Sequence, residues 1–548
     1  MKQADTWSIQ EFGMESLVLM ERAALCVAQH ILSVCKPGTA FILCGMGNNG
    51  ADGLAVARIL AQNSWSVSIL AIGKCEKATK EWLYQKKLLE KMNIEVSLFS
   101  TDLDKKEVDG VNPGEISSKW SWMEDLSGQY PVADVYVDAL FGIGLAREVT
   151  GIYRAAIEAW NTRRAECGAY GVAVDICSGL DAGSGQALGV SVEADVQITF
   201  GYGKLGQYLY PGAAAAKKTI ICDIGFPKEA IHHIEGIPFE ALEQSDAIHL
   251  LRERCPWGNK GTFGRVVIIA GSEGMAGAAY LSALAAYRTG AGLVEIITPE
   301  CNRLALQQLL PEAVLCCISK SADKEAVREL VNNELSKADA IVIGPGLSTD
   351  LLAKHLLKFL LEWNESVNKR TRVEDRCPII IDADALNLLA RKAEKQRRVG
   401  EVTAPLGFHV ILTPHPGELG RLLGISTKEV TADLNACAKA LQKKFGCICV
   451  CKDARTVIYT EEHRYCNLTG NCGMATGGSG DVLTGIIASL AAQGIPASSA
   501  AVLGVWLHGA AGDEAAKEKS PYSMIARDLT DGLSKVLIET SRKKEMNS

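Results

Sequence analysis

Among eighteen cysteines there is no Cys-x-x-Cys pair, and no histidine cluster has metal-ligand spacing. That excludes a zinc-stapled domain. An excess of positive charge is also missing. Lys and Arg number 57 against 64 Asp and Glu, a formal net charge of −7, which leaves no basic face for nucleic acid or acidic lipid. No uninterrupted apolar run reaches the roughly 20 residues that cross a bilayer. The start, Met1-Lys-Gln-Ala-Asp-Thr-Trp, lacks the basic-then-apolar order of a secretory signal, and Asp5, Glu11 and Glu15 argue against a transit sequence. The expectation is a soluble cytoplasmic protein with no membrane or nucleic-acid partner.

The cysteines sit mostly inside apolar stretches. In Cys447-Ile-Cys-Val-Cys451, period-two spacing puts three thiols on one face of a strand. Buried, reduced thiols suit the cytosol. The chain has 548 residues, 48% hydrophobic and 22% charged, too many for one ordinary core. Two or more domains follow.

Two α/β blocks are legible. In the first, β-branched runs bounded by Gly, Pro or Asn read as strands of a mostly parallel sheet: Phe41–Cys44, Val67–Ala71, Asp134–Asp138, Gly171–Asp175, Val196–Phe200 and Lys218–Ile224. The polar stretch Thr101–Asp125 reads as a surface insertion. The second block runs through Gly264–Gly271, Leu293–Ile297, Ala340–Gly344, Pro378–Asp382, Val410–Thr413 and Ile448–Cys451. Charged segments at Arg370–Asp375 and Arg391–Glu401 read as solvated loops or helix faces. The expected division is a first domain over 1–228, a linker over 229–245 and a second domain over 246–548.

The first strand ends in Cys44-Gly-Met-Gly-Asn-Asn-Gly-Ala-Asp-Gly-Leu-Ala-Val-Ala-Arg58, a strand, Gly-rich turn and helix of the kind that binds phosphate at a helix start. It is not the dinucleotide fingerprint, because Asn48, Asn49 and Asp52 occupy the turn; these suit ribose hydroxyls or a cation. The alternative is a turn whose Asn residues adopt left-handed conformations. Two further strand ends carry acids: Asp138 before Ala-Leu-Phe-Gly-Ile-Gly-Leu-Ala-Arg147, and Asp175 before Ile-Cys-Ser-Gly-Leu-Asp181. Ligand sites in such sheets lie beyond the carboxyl ends of the strands, so these loops should converge there. Oxygen ligands without Cys or His indicate a hard cation.

Near the other end stands Gly470-Asn-Cys-Gly-Met-Ala-Thr-Gly-Gly-Ser-Gly-Asp481, followed by the apolar run Val482–Leu490. Small residues let backbone N–H groups approach a ligand, and a helix start favours negative charge. A carboxylate there fits phosphoryl transfer, with Asp481 taking the proton from an attacking hydroxyl. The plainer alternative is a glycine turn with Asp481 as helix cap. Asp382 and Asp384 either organise magnesium through water or cap the next helix. His415, between two prolines past a strand, reads as a ligand contact more than as a structural hydrogen bonder. His508 reads as buried packing.

Gly-x-Gly-Asn-Asn-Gly-x-Asp-Gly, with Val-Asp-Ala-Leu-Phe-Gly-x-Gly-Leu and Val-Asp-Ile-x-Ser-Gly-Leu, resembles the NAD(P)HX epimerase (YjeF amino-terminal) family. The resemblance implies a Rossmann-like three-layer domain. It assigns Asn48, Asn49, Gly50, Ala51, Asp52, Gly142, Ile143, Gly144, Leu145, Ala146, Arg147, Glu148, Tyr153 and Asp175 to the hydrated dinucleotide. It assigns Asn49, Asp138 and Ser178 to a potassium ion, and Asp175 is the candidate acid/base.

The second block resembles the ADP- or ATP-dependent NAD(P)HX dehydratases, of ribokinase-like α/β fold. The match runs through Lys260–Ser272, Gly290–Val294, Gly344–Leu347, Asp382–Leu386, Thr413–Glu418 and Gly477–Asp481. It implies Gly346, His415 and Asp481 around the hydrated dinucleotide. Lys452, Asp453, Ala454, Arg455, Thr456 and Gly480 are assigned to the adenine nucleotide, with Mg2+ accompanying it. Two positions depart from the family pattern: Asp453 stands where glycine is usual, and Cys472 where proline is usual.

Together the resemblances imply repair of hydrated NADH and NADPH. The first domain would interconvert the R and S epimers. The second would phosphorylate the ring hydroxyl of the S epimer from ADP, giving AMP, after which phosphate leaves and NAD(P)H is restored. Fusion of the two domains implies ADP over ATP, and the family implies a homo-oligomer. Two alternatives stay open at this point: a small-alcohol kinase with an accessory domain, and a non-catalytic nucleotide-binding scaffold.

Overall fold

The computed structural model describes residues 2–100, 126, 128–368, 372 and 375–547. Thr101–Asp125, expected as a surface insertion, and most of the charged segment 370–375 lie outside the described residues. The chain divides into two compact units, Met1–Gly236 and Ile237–Ser548.

The first unit is a seven-stranded parallel sheet. Its strands are β1 Thr39–Cys44, β2 Ser66–Ile72, β3 Val96–Phe99, β4 Val135–Ala139, β5 Tyr170–Val174, β6 Ala194–Phe200 and β7 Ala216–Cys222, in the order β3-β2-β1-β4-β5-β6-β7. Central strands are buried on both faces, as a parallel sheet between helices requires. Alternation along β1 feeds two cores. Ala40, Ile42 and Cys44 pack with the helices Ser16–Val34, Asn48–Gln62 and Lys80–Lys91. Phe41 and Leu43 face the other way, toward the helix Gly151–Cys167. The short edge strand β3 has no counterpart among the sequence expectations.

The helix Ser16–Val34 is, by length and composition alone, apolar enough to cross a membrane. The sequence reading found no such run, since Glu21 and Arg22 interrupt it. Seven of its residues, Leu19 to Ile31, form a buried stripe at helical spacing in the first core.

The second unit is a ten-stranded sheet made of β8 Phe239–Glu240, β9 Arg265–Ile269, β10 Leu293–Pro299, β11 Val314–Ile318, β12 Ala340–Ile343, β13 Ile379–Ile381, β14 Val410–Leu412, β15 Ile448–Cys451, β16 Val457–Tyr459 and β17 Arg464–Cys466. The order is β11-β10-β9-β12-β13-β14-β15-β16-β17-β8. From β11 to β15 all pairs are parallel, and β16 and β17 add antiparallel strands. The sheet packs against the helices Ala276–Arg288, Ser479–Ala492 and Ala497–Lys519 in one apolar core. Both units are therefore α/β, as the alternating pattern implied. All eighteen cysteines are unpaired, and Cys447, Cys449 and Cys451 are buried.

Candidate active sites

In the first unit, β1 runs into Gly45-Met-Gly47, and the helix Asn48–Gln62 begins at once with Gly47 as its N-cap. A Cβ on Gly50 would strike the Gly45 carbonyl oxygen, so only glycine lets the helix fold back over the strand end. Asn48 to Asp52 thus form the first turns of a helix, where the sequence reading placed them in the preceding turn. Burial drives the Asp52 carboxyl well above its ordinary pKa, and the nearby charges of Asp175 and Asp5 add to the shift.

Asp138 ends β4 fully buried. Ser178 N donates to its Oδ2 at 2.8 Å, and Ser178 Oγ donates to its Oδ1 at 2.6 Å. The Phe141 N–H donates to Ser178 Oγ at 2.8 Å, while Asn49 Nδ2 donates to the Phe141 carbonyl at 2.9 Å. Burial pushes Asp138 up to about 6, against the hydrogen bonds from Ser178 and Leu140. Asn49, Asp138 and Ser178 therefore share one neighbourhood: Ser178 bonds Asp138, and both Ser178 and Asn49 bond the Phe141 main chain. Among the described residues no group of three or more His, Cys, Asp or Glu is set to hold a metal. This cluster consists of amide, hydroxyl, carbonyl and carboxylate oxygens instead, a donor set that fits a hard, weakly held cation such as potassium.

Asp175 lies one residue past β5, with its backbone in the left-handed region at φ 65°. Its Oδ1 accepts from Lys204 Nζ at 2.5 Å and from Thr199 Oγ1 at 3.0 Å. Lys204 is itself buried, and its Nζ also reaches Thr199 Oγ1 at 2.6 Å. Gln207 Nε2 donates to the Asp175 carbonyl at 2.8 Å, which pins the main chain. Neither Lys204 nor Gln207 was foreseen from the sequence. Asp5, on the amino-terminal helix Lys2–Gln10, is raised by burial and by the Asp175 charge.

Tyr153, in the helix Gly151–Cys167, lies tilted against Phe141 with ring centroids 5.1 Å apart. Its hydroxyl would stand 3.2 Å from a Cβ on Gly73, just past β2. In the Gly142–Glu148 loop, Gly142 lies against Asn49, while Glu148 lies against Gly189. Gly144, Ala146, Arg147 and Glu148 are exposed. Among the described contacts none joins Arg147 to Asp138 or Asp175.

In the second unit the helix Ser479–Ala492 follows Gly478, whose φ of 93° turns the chain sharply into it. Asp481 is in the first turn. Lys452, just past β15, donates from Nζ to Asp382 Oδ1 at 2.8 Å. A Cβ on Gly480 would stand 3.1 Å from that Nζ and 3.5 Å from Asp382 Oδ2, so the glycine loop borders the same pair. Burial, then the charges of Asp382 and Asp384, raise Asp481 to about 7 against the pull of Lys452. Burial and Asp382 raise Glu418 to about 7 as well. Burial would lower Lys452, but Asp382, Glu418 and Asp481 outweigh it and its pKa is raised. A carboxylate that titrates near neutrality is matched to proton abstraction.

Asp382 does not cap its helix with its side chain; it serves Lys452. Asp384 accepts from the Ser348 N–H at 2.8 Å, beside the loop that holds Gly346. His415 is the N-cap of the helix Pro416–Leu423: its Nδ1 accepts from the Gly417 N–H at 3.1 Å, and its N–H donates to Glu418 Oε2 at 2.9 Å. The ring is 51% exposed, so the cap leaves a free face. Asp453 is exposed and turns back onto the Ala454 N–H at 2.8 Å, and Arg455 donates to the Leu468 carbonyl. Around Cys472, Asp513 accepts from Gly470 N and Asn471 Nδ2 at 2.9 and 3.0 Å, which holds the loop in place without the usual proline.

His508 does more than pack. Its Nε2–H donates to the Ser479 carbonyl at 2.9 Å, and burial holds the ring neutral by lowering its pKa to about 4. It therefore ties the helix Ala497–Lys519 to the first residue of the helix that carries Asp481. His508→Phe should cost about 0.5–1.5 kcal/mol of stability for the lost bond. It should also lower kcat of any Asp481-dependent turnover about tenfold through misplacement, with His508→Gln recovering part of it. Steady-state kinetics of the three proteins check this.

The family model described as "YjeF-related protein N-terminus" matches residues 16–206, and that described as "NAD(P)H-hydrate dehydratase" matches residues 266–535. A bifunctional NAD(P)H-hydrate repair enzyme of Moorella thermoacetica is 34% identical, covering 98% of this chain and 95% of its own. That of Escherichia coli is 33% identical over 90% of this chain and 84% of its own. A solved ADP/ATP-dependent NAD(P)H-hydrate dehydratase from Bacillus subtilis, co-crystallised with ATP/Mg2+, is 29% identical with a TM-score of 0.45, covering 56% of this chain and 100% of that one. With identity above 30% sustained over nearly its whole length, the chain belongs to the family of bifunctional NAD(P)H-hydrate repair enzymes.

Proposed function

We propose that the two units divide the repair of hydrated NADH and NADPH between them. The unit before Gly236 would epimerise R- and S-NAD(P)HX, and the unit after it would dehydrate the S epimer with ADP, giving AMP and phosphate. The observation that carries this reading is the position of Asp481: a carboxylate raised to about 7, in the first turn of a glycine-led helix, beside the Lys452–Asp382 pair.

In the second unit Asp481 takes the proton from the ring hydroxyl as its oxygen attacks the terminal phosphoryl group. Main-chain N–H groups of the Gly477–Asp481 loop stabilise the charge on that group in transit. Phosphate then leaves where hydroxide would not, a proton leaves the neighbouring ring carbon, and the ring double bond returns. Gly346 and His415 contact the dinucleotide, and Lys452 to Thr456 with Gly480 contact the ADP. Asp382, Asp384, Glu418 and Asp481 outnumber Lys452, so a bare polyphosphate would be repelled. Magnesium bound with the nucleotide would supply the missing positive charge, with Asp382 and Asp384 the residues placed to hold it.

In the first unit Asn48–Asp52, Gly142–Glu148 and Tyr153 hold the hydrated dinucleotide, and Asp175 moves the proton at the hydroxyl-bearing carbon. Asn49, Asp138 and Ser178 would hold potassium, which would supply a positive charge beside the Asp138 carboxylate. The protein works in the cytoplasm as a homo-oligomer on NADHX, NADPHX and ADP.

The test is recovery of dihydronicotinamide absorbance from an epimer mixture of NADPH hydrate, with magnesium, potassium and either ADP or ATP. Full recovery is expected with ADP, and replacing potassium by sodium should slow only the portion that depends on epimerisation. No recovery with either nucleotide would sink the reading.

A further inference from the structure

A cavity of about 620 Å³ opens in the second unit, away from Asp481. Its wall carries four cations, Arg391, Arg397, Arg421 and Lys444, against one acid, Glu394. The four come from three helices: Ala383–Arg398, Pro416–Leu423 and Leu434–Phe445. Helix dipoles account for cations in a last turn, as at Arg397 and Arg421, but Arg391 lies in mid-helix.

Arg391, Arg397 and Arg421 are exposed and Lys444 is half-buried, and of the four Arg421 also stands within the field of an acid, Glu418. Lys444 donates to the Leu422 carbonyl at 2.6 Å, and Arg421 donates to Asn387 Oδ1 at 2.8 Å; both acceptors are neutral. Glu394 pairs with Arg398, outside the lining. Among the described residues neither Arg391 nor Arg397 has an ion-pair partner. Burial and the Arg397 charge together lower the pKa of Lys444, the mark of cations held close without a counter-charge. Guanidinium groups match phosphate oxygens two at a time, and the volume falls within the range of small-ligand sites. No aromatic side chain lines the cavity, so nothing there stacks a nucleobase.

We propose that this cavity is a second binding site, for a compact anion bearing several phosphate groups. Two of its walls belong to the helices whose first turns carry Asp384 and Glu418. An anion seated here would clamp the far ends of both helices, and so steady the cluster around Lys452. The binding itself does not depend on the repair activity.

The test is calorimetric titration of the full chain with inorganic tripolyphosphate in magnesium-free buffer, in which the acidic cluster around Lys452 repels a bare polyphosphate from the nucleotide site. Wild-type protein should show binding of the anion. Arg391→Glu with Arg397→Glu should weaken it about tenfold or more, and Glu394→Gln should tighten it about threefold. The opposite directions separate a site from a folding defect, since damage does not raise affinity. Absence of binding in the wild type, or equal affinity in wild type and Glu394→Gln, overturns the proposal.

Discussion

Asp481→Asn should abolish the ADP-dependent recovery of NAD(P)H while making the protein harder to melt. Loss of a general base costs about 10²–10⁴-fold in rate, and asparagine keeps the shape while removing the proton acceptor. The stability effect follows from the raised pKa of about 7. A carboxyl whose folded pKa lies above its unfolded value binds its proton more tightly when folded. Its favourable contribution is full below the unfolded value and is lost as pH rises through about 7. At pH 8 the wild type therefore holds an ionised group among Asp382 and Asp384, and the variant does not. Tm of the variant should exceed that of the wild type at pH 8, and the gap should close toward pH 5. The wild-type rate should rise with pH through about 7. A variant that loses Tm at pH 8, or keeps its rate, contradicts the role.

Lys204→Met should remove epimerisation and leave dehydration standing. Methionine fills the same volume but takes Lys204's charge from a nearly buried carboxylate, Asp175, whose side chain is 12% exposed. Breaking such a pair by deleting one partner costs about 3–5 kcal/mol, because the charge left behind is neither solvated nor paired. The Asp175 charge also acts on Asp52 and Asp5 and raises the pKa of both. From an epimer mixture, absorbance should climb to the share of one epimer and then advance only at the uncatalysed rate. Lys204→Arg should restore part of the activity. Full, rapid recovery in the Met variant would remove Lys204 and its pairing from the account of the site.

Legibility in the sequence followed distance along the chain. The Gly477–Asp481 loop and the Asn48–Asp52 segment are contiguous, so residue types alone pointed to a phosphate or sugar contact, and the structure sets both at a helix start. The loop ends at Asp138 and Asp175 were readable for the same reason. Lys204 was invisible because it meets Asp175 from 29 residues away, across β6, with nothing periodic about its surroundings. His508 looked like packing since its neighbours are apolar. Only the fold shows that its ring faces Ser479 from another helix. The Lys452–Asp382 pair spans 70 residues, and no local pattern announces a bond of that kind. Among the strands, long apolar runs such as β9 and β15 were plain. The three-residue β16 and β17 and the edge strand β3 were not, because so few positions show no period.

The left-handed backbone of Asp175 has a consequence for how this position varies among descendants of the chain. Of the twenty residues, glycine, asparagine and aspartate enter that conformation at little cost. Glycine brings no acid group, and asparagine brings no charge for Lys204. Glutamate, the obvious conservative exchange, keeps the charge but meets the steric penalty of the main chain. Drift by small steps is therefore closed off on both sides. On the proposed acid/base role of Asp175, a lineage either keeps aspartate here or leaves the epimerase activity behind in a single substitution.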